Sequence, residues 1–148
     1  MDRPETVWID YEDDLVGWIE HQVRLLRAKD FEQLDVEHLV EEFDDMVSRK
    51  QRELCSRLHQ IIKHLLKCQY QPKRKSTSWT ATLDEQRAAI ERKLKRSPSY
   101  RNAIGLLARQ EYPRVIRSAA RETRLPPCTF PPELPYTPEQ LLDDDFIP

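Results

Sequence analysis

Glycine is almost absent from this sequence, which has only Gly17 and Gly105 among its 148 residues. A Walker loop or a dinucleotide-binding fingerprint requires several glycines in a tight group, so both kinds of nucleotide site are excluded. Long apolar runs are also missing, whereas a membrane-spanning helix needs about 20 apolar residues in a row. The N-terminus carries Asp2, Arg3 and Glu5 where a signal peptide would be apolar. We therefore expect a cytoplasmic protein that has no membrane partner.

Cysteine is sparse too, with Cys55, Cys68 and Cys128 as the three thiols. An odd number at wide spacing in a cytosolic chain indicates free thiols and not a disulfide framework. Two cysteines are four residues from a histidine, Cys55 from His59 and Cys68 from His64. On one helix the two pairs face opposite sides and cannot share a metal ion. We interpret them as buried thiols and hydrogen-bonded histidines, and we predict no cofactor.

Charge is abundant, and it is segregated along the chain although the formal net charge is only −2. Residues 1–46 carry 15 acidic and 4 basic side chains, for a net charge of −11. Residues 47–125 carry 20 basic and 6 acidic side chains, net +14, and residues 126–148 carry 5 acidic and none basic. Neutralisation within the chain or between copies is the simplest account of this order. It favours a protein partner or self-association.

The residue content predicts an all-α fold, because Leu, Glu, Arg and Gln are frequent and β-branched runs are few. Apolar spacing predicts a first helix over residues 10–28 and a second from residue 35 to residue 69. The second helix is predicted to be long. A capping-box pattern at Ser48 could start a new helix inside it, so a kink or break at Ser48 is left open. Its apolar stripe, here called the α2 stripe, comprises Val36, Val40, Phe43, Val47, Leu54, Leu58, Ile61, Leu65 and Cys68.

Prolines mark the later boundaries. Pro72 ends the second helix, Ser78 is predicted to cap a third, and Ser97-Pro98 resembles the start of a fourth. Pro113 would kink or interrupt that fourth helix.

The end of the chain is rich in proline and also in aromatic and aliphatic residues. This composition predicts that residues 126–148 form an extended strap packed on the helices, with a short capped helix at Thr137–Gln140. We predict a single all-α domain over residues 1–148, a compact bundle of about five helices, with residues 1–9 as an N-terminal extension.

Two sets of polar residues are candidates for a site. A histidine with carboxylates three, four and seven residues later could bind a divalent metal, which gives a metal-dependent hydrolase as one alternative: His38, Glu41, Glu42 and Asp45. No nucleophile–base–orienter set can be placed by spacing. Basic residues with interleaved aromatics, in the loop after the second helix and on the third helix, could instead bind phosphate or nucleic acid. The candidate polar groove consists of Lys67, Gln71, Lys73, Arg74, Lys75, Trp79, Gln86 and Arg87.

Several stretches resemble the bacterial family called "domain of unknown function 29", over nearly the whole chain. They are Leu25–Ala28, Leu34–Glu42, His64–Pro72, Ser78–Arg87, Ser97–Ser99, Phe130–Pro131, Pro135–Asp143 and Asp145–Pro148. The resemblance implies a compact all-α bacterial protein and implies no activity. Cys68 stands where a tryptophan is expected and Leu134 where a cysteine is common. The densest polar motif of the resemblance lies in the region of the candidate groove.

These observations together favour a small non-catalytic interaction or accessory protein of the bacterial cytoplasm. An anion-binding or nucleic-acid-binding protein and a metal-dependent hydrolase are the alternatives, so an enzyme is not excluded.

Overall fold

The computed structural model describes residues 8–148, and these form helices and connecting segments without a β-strand. The five α-helices are α1 (Leu15–Arg27), α2 (Val36–Tyr70), α3 (Thr77–Arg96), α4 (Ile104–Thr123) and α5 (Pro138–Leu142). The prediction of an all-α fold with about five helices is confirmed. Residues 1–7 of the predicted N-terminal extension lie outside the described residues. No helix in the described range is long and apolar enough to cross a bilayer.

The chain divides into two compact units, Met1–Arg49 and Lys50–Pro148. The described part of the first unit contains α1, the 3-10 helix Phe31–Gln33 and the beginning of α2. The second unit contains the rest of α2 together with α3, α4, α5 and the proline-rich strap. α2 is one helix through Ser48, so the capping-box pattern there starts no new helix.

α1 begins at Leu15 and not near Asp10, because a side chain caps it later in the sequence. The Asp14 carboxylate accepts a hydrogen bond from the Gly17 backbone N–H at 3.0 Å, as an N-cap residue does. A Cβ on Gly17 would collide with that carboxylate, so one of the two glycines is required by the cap. Asp10 serves a tight turn before the helix, where it accepts from the Glu12 N–H at 2.8 Å.

The second unit has a dense apolar core built around the later part of α2. Leu58, Ile61 and Leu65 of the α2 stripe are completely buried, and Leu83, Ile90 and Leu94 of α3 belong to the same cluster. α3 begins at Thr77 with Ser76 as its N-cap, slightly ahead of the predicted cap at Ser78. A 3-10 helix, Pro98–Ala103, stands where α4 was predicted to start, and α4 then continues through Pro113.

The proline-rich strap packs on the helices of the second unit, as predicted. Phe130, Tyr136 and Leu141 are buried in the core cluster. The Tyr136 hydroxyl donates to the Gln69 side-chain oxygen at 2.7 Å, which anchors the strap to the end of α2. α5 has the predicted capping box, in which the Thr137 hydroxyl accepts from the Gln140 N–H and the Gln140 side chain accepts from the Thr137 N–H.

Candidate functional site

An aromatic cluster in the first unit surrounds the partly buried carboxylate of Asp35. Trp18 Nε1 donates to Asp35 at 3.0 Å, and His38 Nδ1 lies 2.7 Å from the same carboxylate. The Tyr11 ring stacks on the His38 ring with centroids 4.1 Å apart. Burial opposes the charged form of Asp35, but the hydrogen bonds from His38 and Trp18 outweigh it and lower the pKa of that carboxyl. The same bond raises the pKa of His38.

The four residues of the metal alternative lie within and beside this cluster. His38 is engaged with Asp35, and Glu42 accepts the Tyr11 hydroxyl at 2.7 Å, which raises the pKa of Tyr11 to about 12. Glu41 and Asp45 are exposed on α2. Across residues 8–148, no three His, Cys, Asp or Glu side chains are placed to hold a metal ion. The first unit therefore uses Glu42 to bind the Tyr11 hydroxyl, while His38 and Trp18 share the Asp35 carboxylate just before α2.

The candidate polar groove divides into residues with partners inside the second unit and residues exposed on a loop. Lys67 donates to Glu122 at 3.0 Å and lies over the Trp79 ring, 4.5 Å from its centroid. Lys63, also almost fully buried, donates to the other oxygen of Glu122 at 2.8 Å. The Gln71 side chain donates to the Thr123 carbonyl at 2.8 Å. These contacts connect the end of α2 to α3 and α4.

Arg87 has a different environment, because its guanidinium is buried against the strap. The side chain is 2% exposed and donates to the backbone carbonyls of Leu141, Gln140 and Phe146 at 2.9–3.1 Å. Gln86, its neighbour, accepts from Arg57 at 3.1 Å. The structure therefore brings Lys67 and Trp79 into contact and assigns Arg87 to holding the strap. The remaining members, Lys73, Arg74 and Lys75, are exposed on the loop after α2 and form no ion pair within the described residues.

One constellation of the second unit has the connectivity of a catalytic triad. His59 Nδ1 lies 3.0 Å from Glu111, and His59 Nε2 lies 3.1 Å from the Ser118 hydroxyl. Acyl transfer also needs N–H donors aimed at the developing oxyanion. Ser118 is inside α4, where backbone N–H groups are committed to the helix. The chain of hydrogen bonds therefore connects α2 to α4. Sequence spacing could not reveal it, because Glu111 and Ser118 are 52 and 59 residues from His59.

The first unit has an apolar groove on its surface, here called the α1–α2 groove. Its volume is about 250 Å³. Val23 and Phe43 in its lining are 38% and 59% exposed, although both are large apolar side chains. The apolar lining comes from both helices and includes Ile19, Val23, Leu26, Leu39, Phe43 and Met46. A soluble protein seldom leaves so many large apolar side chains contiguous and exposed, and such patches mark interaction sites.

A buried polar group also lines the groove. Gln22 is 1% exposed, and its side-chain oxygen accepts the Asp35 backbone N–H at 2.9 Å. Its amide nitrogen is buried and has no hydrogen-bond partner among the described residues. Leaving a buried donor unsatisfied costs about 1–3 kcal/mol. The groove therefore combines uncovered apolar surface with a donor that lacks an acceptor.

The unit that contains this groove carries a strong net negative charge. Residues 8–49 carry 13 acidic and 4 basic side chains, whereas residues 50–148 carry 19 basic and 11 acidic ones. Glu42 and Arg49 are the charged residues among the groove lining. The periodicity of the sequence indicated the apolar positions correctly. It could not indicate that the apolar side chains on α1 and on the first part of α2 stay exposed.

Comparison with known proteins shows the family of the chain and nothing about its activity. The chain belongs to the family described as Domain of unknown function DUF29, which matches residues 11–147. No curated protein and no solved structure matches it.

Proposed function

We propose that this member of a family without an assigned activity is a non-catalytic accessory protein of the bacterial cytoplasm, and that it binds a protein partner through the α1–α2 groove. The second unit is the folded body, and the first unit carries the docking surface. The observation that supports this division is the exposure of apolar side chains along two helices of the first unit, Val16, Ile19 and Val23 among them.

The free energy gained by burying apolar side chains favours binding of a partner to this surface. Removing a Val, Leu, Ile or Phe side chain from water contributes about 1.5–3 kcal/mol. A partner that covers Ile19, Val23 and Phe43 therefore gains from several such side chains in one contact. Interfaces typically place their large apolar side chains at the centre and their charges at the rim. The groove has a mostly apolar lining, in which Glu42 and Arg49 are the charged members.

Site-specific photocross-linking tests the proposal. A photoreactive phenylalanine analogue is placed at Phe43 in the groove and, as the matched control, at Leu106, which is 53% exposed in the second unit. We expect discrete cross-linked adducts in cells from position 43 and none from position 106. Loss of the position-43 adducts in an Ile19→Glu background would support the groove as the contact. Identical adduct patterns at both positions, or no adduct at position 43, would contradict the proposal.

A second candidate function is the binding of phosphate or nucleic acid at the loop after α2. The supporting observation is the run of exposed cations Lys73, Arg74 and Lys75, which form no ion pair within the described residues. Unneutralised cations bind phosphates and release counterions, so affinity falls steeply as salt rises.

The measurement is fluorescence anisotropy with short single-stranded DNA and RNA at low and moderate salt. We expect salt-sensitive binding that disappears when all three residues are changed to Glu. Arg92→Glu on exposed α3 surface is the matched control. Undetectable binding by the wild-type protein at low salt would eliminate this candidate.

A further inference from the structure

We propose that the occupant of the α1–α2 groove is a basic amphipathic α-helix of the partner protein, packed as in a coiled coil. This inference rests on the proposed function and adds to it the shape and charge of the partner. Three features of the described residues carry it: the spacing of the exposed apolar side chains, the acidic residues next to them, and the net charge of the first unit.

The spacing of the exposed side chains is that of a helix-binding seam. In the part of α2 before Lys50, the exposed members of the α2 stripe are Val36, Val40, Phe43 and Val47, separated by steps of four, three and four. Such steps define the a and d positions of a heptad, the positions that insert as knobs between the side chains of a second helix. A partner helix thus fits this face better than a strand or a loop.

α1 presents a second seam of the same kind. Val16, Ile19, Val23 and Leu26 are separated by three, four and three residues, and all are 38–66% exposed. Ile19, Val23 and Leu26 line the groove together with Phe43 of α2. One helix placed in the groove can therefore contact both seams, as the third helix of a three-helix bundle. Gln22, whose buried amide nitrogen has no hydrogen-bond partner among the described residues, belongs to the same lining.

The residues beside the α2 seam determine the charge of the partner. With Val40 at position a and Phe43 at position d, Glu37 and Asp44 occupy successive e positions. Both carboxylates are exposed, and neither forms an ion pair within residues 8–148. Residues at e and g form ion pairs across a coiled coil and set partner choice. Lys or Arg on the incoming helix would complement Glu37 and Asp44.

Net charge disfavours the first unit of a second copy as the occupant. Two first units in contact would each bring 13 acidic and 4 basic described side chains to one interface. Like charges placed against each other at an interface suppress that pairing, whereas a basic partner is attracted and its association is accelerated. Charge therefore selects a basic helix over the first unit of a second copy at this surface.

The experiment uses the full chain and designed peptides about three heptads long that differ only in charge. All have Ile at a and Leu at d, while the e and g positions are Lys in one, Gln in a second and Glu in a third. Binding is measured by fluorescence anisotropy at several salt concentrations. We expect the Lys peptide to bind at least tenfold more tightly than the Gln peptide, with an advantage that shrinks as salt rises, and the Glu peptide not to bind.

Charge reversal supplies the decisive variant. Glu37→Lys with Asp44→Lys should reverse the preference, so that the Glu peptide becomes the tighter ligand, while Phe43→Glu should abolish binding of the Lys peptide. Leu106→Glu is the control and should leave binding unchanged.

Three other outcomes would contradict the charge selection, the basic helix as occupant, or the groove as a docking surface. Equal binding of the Lys and Glu peptides would overturn the charge selection and leave the groove as a docking surface. Self-association of the chain that Phe43→Glu abolishes would identify a second copy as the occupant and overturn the basic helix. Failure of all three peptides, with no self-association and no cross-linked adduct at position 43, would overturn both this inference and the proposed function.

Discussion

The α2 stripe is buried in one stretch of the helix and exposed in the other. Leu54, Leu58 and Ile61 are at most 1% exposed, whereas Val40 and Phe43, about three to four turns before Leu54, are 53% and 59% exposed. Both stretches have aliphatic or aromatic residues at the same three-and-four spacing, and both belong to one unbroken helix. The difference lies in what packs on the stripe. In the second unit, α3, α4 and the strap cover it.

This comparison shows that periodicity predicts a helix and its apolar face but not the element that covers the face. In the second unit the cover is encoded in the same chain, and the stripe serves stability. In the first unit we infer that the cover is supplied by a partner, and the stripe serves recognition. Matched substitutions in the two stretches should therefore have opposite consequences for stability and binding.

The largest effect is expected from Leu58→Ala in the buried stretch. Removing most of a fully buried leucine loses transfer free energy and leaves a cavity, at a cost of about 2–5 kcal/mol. Val40→Ala, in the exposed stretch, should change the free energy of unfolding by less than about 0.5 kcal/mol. Urea unfolding of both variants measures the difference. Equal destabilisation by the two would show that the exposed stretch is covered within the folded chain.

Arg87→Met should have the next largest effect, because Arg87 holds the strap that helps to cover the stripe. The substitution keeps much of the apolar stem but leaves one buried and two partly buried backbone carbonyls without their donor. We expect a loss of about 1–3 kcal/mol, since a buried polar group left unpaired costs that much. Arg92→Met, on exposed surface of α3, is the control and should be nearly neutral. Thermal unfolding would contradict the assignment if both variants melted together with the wild type.

A smaller effect is expected at the hydrogen-bond chain that connects α2 to α4. His59→Ala removes the bonds to Glu111 and Ser118 and should cost about 1 kcal/mol, the usual net contribution of such bonds. Glu111→Gln keeps an acceptor near His59 and should cost less. Unfolding free energies test whether His59→Ala is more destabilising than Glu111→Gln. A reaction of Ser118 with an organophosphate serine probe would show that these hydrogen bonds serve catalysis and not structure.

The smallest effect is expected in the pH dependence of stability, to which one histidine in each unit contributes with opposite sign. Burial lowers the pKa of His64, so its contribution to stability is full above the unfolded pKa of about 6.5 and is lost as pH falls toward the folded-state pKa. The bond to Asp35 raises the pKa of His38, so its contribution is full below about 6.5 and is lost as pH rises through the folded-state pKa.

The pH dependence of the urea midpoint measures this difference in sign. His64→Gln should flatten the loss of stability on the acid side, and His38→Gln should flatten the loss on the alkaline side. The same pH dependence in both variants would contradict the assignment of the two environments.

Local signals in the sequence predicted much of the fold. The capping box at Thr137 forms because its residues are neighbours and depend on nothing distant. The similar pattern at Ser48 does not start a helix, because the residues before it already continue α2. Apolar spacing predicted the start of α1 at residue 10, but Asp14 is the residue whose carboxylate caps the helix.

The surface and the side-chain networks depend on tertiary contacts that local patterns do not contain. Arg87 was grouped with the basic loop from its position in the sequence, yet its partners are strap carbonyls more than 50 residues away. The exposure of Val40 and Phe43 could not be predicted for the same reason, since burial is decided by distant segments. Periodicity placed these residues on one face, and packing determined which part of the face remains open.

Phe43→Glu, studied for stability and binding in the same protein preparation, is the sharpest test of whether the exposed stretch of the α2 stripe is a docking surface. The account predicts an unfolding free energy within about 0.5 kcal/mol of the wild type, because Phe43 is 59% exposed, together with loss of binding to the basic helical peptide. A destabilisation of several kcal/mol would contradict the claim, because the exposed stretch of the α2 stripe would then belong to the core. Unchanged peptide binding would contradict it equally, because the groove would then not be the docking surface.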